Sequence, residues 1–388
     1  MQDRVPLYPG RVTLTPVAGQ ENTFDMVRAD QPTQEGTPLN KATLLKDVTA
    51  SILGLPNTAV PDDAFLALTI GVGTYGFRVK IQLADGTPVE GATVSGITAL
   101  TGSTLISGAD GIVLGKSTSK TVTIGCTSPY IDQAAPASQS VTATGTITDV
   151  TLTLTAITDM ITVTSSKTAK VSPIAKTMDV TAVGGGGGGG GGNQKSGYVL
   201  EASGGGGGYV STKTAVTSIA NATLKITVGS AGIGGTSSST ASPGTSGGTT
   251  SVELDNTALI TAKGGGGGES GYGKPRYTQI PGGVGNGNGG VGTEDRSITR
   301  RGQDGTAYIF NDTSLGLAGG GGGGGGGYSG DNIATGGSPN GGDGVQSTGD
   351  SSIKGSEGKA FGGGGGGGRY YNSGYNGGAG GVYFRFHF

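Results

Sequence analysis

The sequence predicts a mainly β, multidomain architecture. It starts with short N-terminal helices, continues through a β-sandwich spacer and ends in β-strands with a polyglycine II helix bundle. Three observations carry this. Most of the 85 glycines follow residue 183, 69 against 16 before it. Apolar residues alternate across 75–157. Before residue 70, apolar residues are spaced as on short helices. At 388 residues the chain is long enough for two to four domains.

Residues 1–70 form the first region. Val12, Leu14 and Val17 suggest a short strand. Thr37 and Pro38 read as N-cap and first helical residue, with Leu44, Leu45, Val48 and Ile52 at helical spacing. Gly54 and Pro56 stop that helix, and Pro61-Asp62-Asp63 opens a second through Phe65-Leu66-Ala67-Leu68. These apolar faces have no large core of their own, so they are expected to bury against copies of themselves or a larger assembly.

Residues 71–159 change character. Phe77, Val79, Ile81 and Leu83 alternate as in a half-buried strand. Asp85-Gly86 makes a turn, and 89–94, 121–124 and 150–154 continue the pattern. Several short strands at this spacing predict a β-sandwich.

Residues 160–388 form the third region. Ile161-Thr162-Val163 and 178–183 read as strands leading into nine glycines at 184–192. Further runs follow at 204–208, 264–268, 319–327 and 362–368. Ordinary domains hold about 7% Gly. Glycine loses the most backbone entropy on folding and buries no side chain. Ordered runs therefore need a structure in which bare backbone is the packing element. A left-handed helix with three residues per turn meets that need. It satisfies no hydrogen bond internally, but packed copies donate and accept across a bundle.

Alternating direction from run to run gives a path. Segments 184–192, 264–268, 319–327 and 362–368 run up, and 204–208, 282–292, 336–344 and 377–381 run down. Residues 209–263 are a β-rich return, 306–310 are a strand, and 382–388 close as a strand. This parity gathers loops 193–203, 269–281, 328–335 and 369–376 at one end. Three of them hold six of the 13 tyrosines. The candidate binding residues are Tyr272, Arg276, Tyr277, Tyr328, Asn332, Arg369, Tyr370, Tyr371 and Tyr375, with Asp331 beside them. Tyr and Arg are favoured at binding hot spots, and Tyr with Ser, Gly and Asn makes adaptable binding loops. Capping of the bundle ends is the plainer role for the same tyrosines.

Bulk properties exclude several classes. A net charge of −2 leaves no basic stripe for nucleic acid. No apolar stretch reaches ~18 residues, so no membrane-inserted helix is expected. MQDRVPLYPG lacks the apolar core of a secretory signal. One cysteine, Cys126, rules out an internal disulfide framework, and a buried free thiol is expected.

Three resemblances add to this. Asp85-Gly86-Thr87-Pro88-Val89-Glu90-Gly91-Ala92-Thr93-Val94, with Gly111, resembles carboxypeptidase regulatory-like (prealbumin-type) sandwich domains, usually spacers. Asp3-Arg4-Val5-Pro6-Leu7-Tyr8-Pro9-Gly10-Arg11-Val12 and Arg28-Ala29-Asp30-Gln31-Pro32-Thr33-Gln34-Glu35-Gly36-Thr37-Pro38-Leu39-Asn40-Lys41 resemble tail-fibre proteins of phages, prophages and phage-tail-like bacteriocins of Gram-positive bacteria. Asp179–Gly192, Gly204–Tyr209, Ile226-Thr227-Val228-Gly229 and Leu259–Gly268 resemble the glycine-rich domain at fibre C-termini, and the polyglycine architecture is similar to the adhesin of T-even-like long tail fibres.

The resemblance implies a receptor-binding fibre on a virion or phage-tail-like particle, assembled in the bacterial cytoplasm and released by lysis. Its N-terminus would meet baseplate or other tail proteins. The fibre would be a homotrimer, and its tip loops would bind surface carbohydrate or a surface-layer protein.

The rival from another class is a fibre with polysaccharide depolymerase activity. A Ser-His-Asp triad would have to use the single histidine, His387. Gly244-Thr245-Ser246-Gly247-Gly248 fits a nucleophile-elbow pattern that a Ser/Gly-rich tract produces by chance. Gly115-Lys116-Ser117 resembles the end of a phosphate loop, with Asp110 where the first glycine belongs. Glu253, Asp255, Glu294 and Asp295 lack glycosidase spacing. One Cys and one His make no zinc site short of carboxylate-only ligation. Asp343, Asp350 and Glu357 fit no calcium motif and read as solvated loop acids. Ice binding, a third reading, would need flat Ala/Ser/Thr faces without Tyr and Arg clusters. The expectation is therefore no enzyme activity and no cofactor or metal.

Overall fold

The structure is a computed structural model. It describes residues 5–6, 12–18, 23–28, 32–34, 53, 55, 58–71, 74–100, 102–145, 147–195, 198–272, 274, 279–292, 309–310, 313–314, 335–338, 340–344, 346–348, 351–353, 355–369 and 371–388. The chain is mainly β: among these residues the helix is Pro61–Ile70, and the other regular elements are strands in small open sheets. Contacts divide it into two compact units. One is Met1–Ser128 with Ala135–Leu154, and the other is Pro129–Ala134 with Thr155–Phe388.

In the first unit, Val12–Pro16 and Phe24–Arg28 pair as an antiparallel hairpin. The expected helix over 37–52 lies outside the described residues. Pro61–Ile70 forms as its start signal predicts: Pro61 needs no amide partner, and the Asp63 carboxylate accepts the Val60 N–H at 3.0 Å. Ala64, Ala67 and Ile70 are buried.

The strands of 71–159 make a two-stranded pair, Gln133–Ala134 with Thr155–Ala156, and two larger sheets. In one, Tyr75–Gln82 lies between Ile147–Thr153, in parallel, and Ile112–Ser117, antiparallel. In the other, Thr121–Thr127 lies between Gln139–Thr142 and Thr93–Ser95. The alternating Phe77, Val79, Ile81 and Leu83 are buried, as are Val122, Ile124, Val150 and Leu152. The Asp85-Gly86 turn puts Gly86 at φ +88°, and Asp85 Oδ1 accepts the Thr87 N–H at 2.9 Å. That bond holds the Asp85 carboxyl below its ordinary value. Cys126 is half-buried, which pushes its thiol up.

The second unit has two four-stranded sheets. Ile161–Val163, Gly381–His387, Thr177–Val183 and Val210–Val216 form one, and Lys167–Lys170, Thr223–Thr227, Thr250–Leu254 and Thr257–Ala262 form the other. Their inward residues share one apolar core that includes Met178, Val180, Leu224, Ile226, Val252, Phe384 and Phe386. The closing strand pairs along its whole length with Thr177–Val183.

Beyond Val183 the side chains stop and the packing continues as backbone. All nine amides of 184–192 donate, at 2.8–3.1 Å, within the ordinary range of an N–H···O bond. Their acceptors rotate with a three-residue repeat. Gly184, Gly187 and Gly190 donate to Tyr209, Gly206 and Ser203. Gly185, Gly188 and Gly191 donate to Gly248, Thr245 and Ser242. Gly186, Gly189 and Gly192 donate to Gly378, Tyr375 and Asn372. These three neighbours run antiparallel. Three parallel neighbours donate back: Gly232 and Gly235 to Gly186 and Gly189, Gly265 and Gly268 to Gly185 and Gly188, and Gly365 and Gly368 to Gly187 and Gly190. The central segment is thus bonded to six others, and its glycines are buried.

The sequence path needs three corrections. Residues 209–263 are not simply a β-rich return, because 229–236 and 242–248 are two of the six neighbours. Gly229, Gly232 and Gly235 face inward while Ser230, Ile233 and Thr236 face out, so spaced glycine serves where neighbours lie on one side only. Segment 282–292 folds back on itself: Gly283 and Asn286 donate to Gly204 and Gly207, while Gly204 and Gly207 donate to Gly290 and Gly287. Segment 340–344 runs with 362–368 rather than against it: a Cβ on Gly363 or Gly366 would meet the oxygen of Asn340 or Asp343. The run 319–327 and residues 306–308 lie outside the described residues.

The sheets and the glycine segments are joined by specific contacts. The buried Thr250 hydroxyl donates to the Val183 carbonyl at 2.6 Å and accepts the Gly229 N–H at 2.9 Å. Phe361, just before the 362–368 run, packs on Tyr383 with ring centroids 5.0 Å apart. Burial raises the Tyr383 phenol well above its ordinary value.

A Cβ on Gly188 would lie 2.2 Å from the Ile233 carbonyl oxygen and 2.7 Å from the Gly234 nitrogen. Both are backbone atoms, so no side chain can move aside. Gly188→Ala should cost at least ~3 kcal/mol in denaturant unfolding of the glycine-rich unit. Ser230→Ala, at an exposed position of the same bundle, should stay within about 0.5 kcal/mol.

Candidate functional site

The register of the glycine segments decides which loops share an end. Gly190, Gly191 and Gly192 meet Ser203, Ser242 and Asn372, while Gly368 and Gly235 donate to Gly190 and Gly189. The chain therefore emerges at this end around 193–203, 236–242, 269–272 and 369–372. Loop 236–242 was not among the loops expected from sequence. Its signal was present as glycine at every third residue on either side of it (Gly232, Gly235, then Gly244, Gly247), a spacing that contiguous runs obscure.

The added loop is fastened to one that was expected. Ser237 N–H donates to Ser373 Oγ at 3.2 Å, and the Ser237 hydroxyl donates to the Tyr371 carbonyl. Thr236 N–H donates to Ser242 Oγ at 2.9 Å and closes the loop at its base. Ser238, Ser239 and Thr240 are exposed. On the neighbouring segment, Glu269 N–H donates to Ser203 Oγ at 2.8 Å, and the Glu269 carboxylate pairs with Lys274 at 3.0 Å.

The candidate residues separate on this frame. Tyr371 is 72% exposed and Tyr272 is 49% exposed, and both are presented at this end. Tyr375 is not at the end. Its carbonyl accepts the Gly189 N–H and its amide donates to Gly366, so it lies along the bundle, where its ring lies over Gly355. Arg369 is a correction: it is 2% exposed, paired at 3.4 Å with Glu201, itself 2% exposed. Sequence favoured an exposed arginine because Arg369 abuts a tyrosine pair. In the structure its backbone is the last layer of a buried run, and its charge is matched inside. Arg276, Tyr277, Tyr328, Asn332 and Tyr370 lie outside the described residues, as does Asp331.

The remaining sequence candidates take structural roles. His387 Nε2 lies 3.0 Å from Asp179 Oδ2, and Asp179 Oδ1 accepts the Ala215 N–H at 2.8 Å. Glu253 pairs with Lys225 at 3.2 Å. Asp255 accepts the Thr223 N–H at 2.8 Å. Asp343 accepts the Gly336 N–H, and Glu357 accepts from Asn376. Gly115-Lys116-Ser117 lies in a paired strand rather than a loop, and Ser246 lies within a glycine segment. Glu294, Asp295 and Asp350 lie outside the described residues.

A glycine-rich domain family matches residues 162–387, more than half of the chain. The chain belongs to this glycine-rich domain family. Its match begins within the first strand of the second unit's sheet and ends at the last residue of the closing strand, so it spans the sheets and the glycine segments together. No curated protein matches the chain.

The buried pair and the exposed tyrosine should respond oppositely to truncation. Arg369→Ala leaves Glu201 buried beside a cavity and should cost about 3–5 kcal/mol. Tyr371→Ala should shift stability by less than about 0.5 kcal/mol. Paired chemical-denaturation curves on the full chain check both.

Proposed function

We propose that this chain is a receptor-binding tail-fibre protein of a phage or phage-tail-like particle, and that it is not an enzyme. In this reading the glycine segments are polyglycine II helices. They form a rigid stalk end that presents loops 193–203, 236–242, 269–281 and 369–372 to a bacterial surface. The observation that carries the reading is the gathering of sequence-distant loops at one end by the backbone register of their segments, with Ser237 bonded to Ser373 and Tyr371. That face carries exposed Tyr371, Tyr272, Ser238 and Thr240.

The face suits a surface carbohydrate or a surface-layer protein. Tyrosine rings offer apolar faces with a polar edge, and the hydroxyl-rich loop supplies adaptable donors and acceptors. Several fibre copies on one particle would add weak contacts through multivalency. The membership in a glycine-rich domain family agrees with such a tip, and the sequence resemblance of residues 3–41 supplies the phage assignment.

The N-terminal hairpin supports an attachment role. Leu14 pairs across from Met26 and Pro16 from Phe24, and Leu14, Phe24 and Met26 are 52–70% exposed. A two-stranded hairpin with an open apolar face is marginal alone, so this face fits burial against tail proteins or other copies in a homotrimer. Residues 71–159 are read as a prealbumin-like spacer.

Replacing 236–242 and 369–376 together with the loops of a relative should move host range while particles still assemble. Tyr371→Ala should weaken binding of the full chain to intact host cells about tenfold, a hot-spot-sized effect. Unchanged binding in both experiments overturns the end-face assignment. Loss of binding after protease treatment of the cells marks a protein receptor, and retention marks a carbohydrate. Sustained release of oligosaccharide from host cell-wall polysaccharide would instead favour a depolymerase.

A further inference from the structure

Where the chain joins the glycine-rich unit, three polar side chains are buried together away from the end face. Asp132, Gln133 and Ser172 are 0%, 2% and 0% exposed. Backbone pairing holds them in place: Ile131 N–H donates to the Lys170 carbonyl at 2.9 Å, and Tyr130 bridges to Lys170. Asp132 Oδ1 accepts the Ser172 N–H at 2.9 Å. Asp132 Oδ2 accepts both the Ser172 hydroxyl and, at 3.3 Å, the Gln133 side-chain amide. Gln133 Nε2 also lies 3.2 Å from Ser172 Oγ. The Gln133 carbonyl oxygen is buried and accepts no hydrogen bond among the described residues. Flipping the amide does not help, because it would turn that oxygen towards the carboxylate.

This cluster holds the parts of an acyl transfer. Ser172 supplies a hydroxyl nucleophile, Gln133 a carboxamide, and one carboxylate oxygen touches both the nucleophile and the leaving nitrogen. The terminal torsion of glutamine is broad, so the amide carbon can turn to face Ser172 Oγ without leaving the cluster. Burial keeps out the water that would compete with the serine or hydrolyse the product.

We propose that Ser172 and Gln133 form an intramolecular ester crosslink, with Asp132 as the proton carrier. Asp132 Oδ2 takes the proton from Ser172 Oγ as the oxygen attacks Gln133 Cδ. The Cδ–Nε2 bond then breaks, the same proton passes to Nε2, and ammonia leaves. The Oγ–Cδ ester remains and Asp132 is regenerated as a carboxylate. No oxidant or other reactant is consumed. The reaction removes the buried NH2 group and keeps the orphaned carbonyl oxygen, now an ester carbonyl, which is a weaker acceptor than an amide's and costs less when unpaired. It also ties residue 133 to residue 172 in a chain whose single cysteine allows no internal disulfide, and closing this loop restricts the unfolded chain as a disulfide would.

Intact-mass measurement of the purified full chain tests this directly. The expected mass is below the sequence mass by one ammonia, with a proteolytic fragment that joins the peptides containing Gln133 and Ser172. Alkaline hydroxylamine should cleave that fragment into two. Ser172→Ala and Asp132→Asn should restore the full mass, and Ser172→Thr, which keeps a hydroxyl, should still lose ammonia. A wild-type chain at full sequence mass overturns the proposal. So does an ammonia loss that maps elsewhere or that survives Ser172→Ala.

Discussion

The glycine-rich unit depends on one constraint: two backbones can exchange hydrogen bonds at this spacing only where neither carries a Cβ. At 184–191 an added Cβ would sit 2.0–2.2 Å from a neighbouring carbonyl oxygen. The blocked oxygens belong in rotation to Lys263, Gly266 and Glu269, to Ser230, Ile233 and Thr236, and to Gly363 and Gly366. Each amide thereby finds its acceptor. A buried amide left without one costs about 1–3 kcal/mol, whereas a formed bond contributes about 1 kcal/mol net. The arrangement is therefore held together as much by the cost of opening it as by the gain in forming it.

That constraint also explains how the two kinds of packing in the unit are joined. The apolar core between the sheets is ordinary, with Met178, Leu224, Val252 and Phe384 buried from both sides. Strand Thr177–Val183 passes from that core straight into 184–192, and the strands Val210–Val216, Thr223–Thr227, Thr250–Leu254, Thr257–Ala262 and Gly381–His387 each adjoin a neighbouring glycine segment. The sheets supply the hydrophobic burial that glycine cannot, and they set the register of the segments. Thr250, bridging Val183 and Gly229, sits at the changeover. The end face is the far consequence of this register. Its loops are distant in sequence, and they meet because their supporting segments are locked in height.

Some chemistry legible in the sequence was absorbed by structure. His387, Glu253, Asp255, Asp343 and Glu357 all bond to neighbours within the fold. The same is true of Arg369, whose place in a tyrosine-rich loop suggested exposure. Loop composition reports which residue types are available, but not which of them the last layer of a bundle buries. The Asp132, Gln133 and Ser172 cluster is the converse case. No spacing in the chain joins residues 132 and 133 to 172, and only the pairing of 130–131 with Lys170 brings them together.

The sequence by itself determined the mainly β character, the alternating strands of 75–82 and 121–127, the helix start at Pro61 and the glycine runs as an unusual packing element. These follow from local rules: side-chain alternation, proline and acidic residues at a helix start, and the absence of Cβ. Tertiary structure alone decided which segments are neighbours and which way each one runs. It made 229–236 and 242–248 part of the bundle, folded 282–292 back, and buried Arg369 while leaving Tyr371 exposed. The physical reason is that a glycine segment has no side chains to encode its partner. Its neighbours are chosen by the register of the strands on either side and by the length of the connections, and neither is written within the runs themselves.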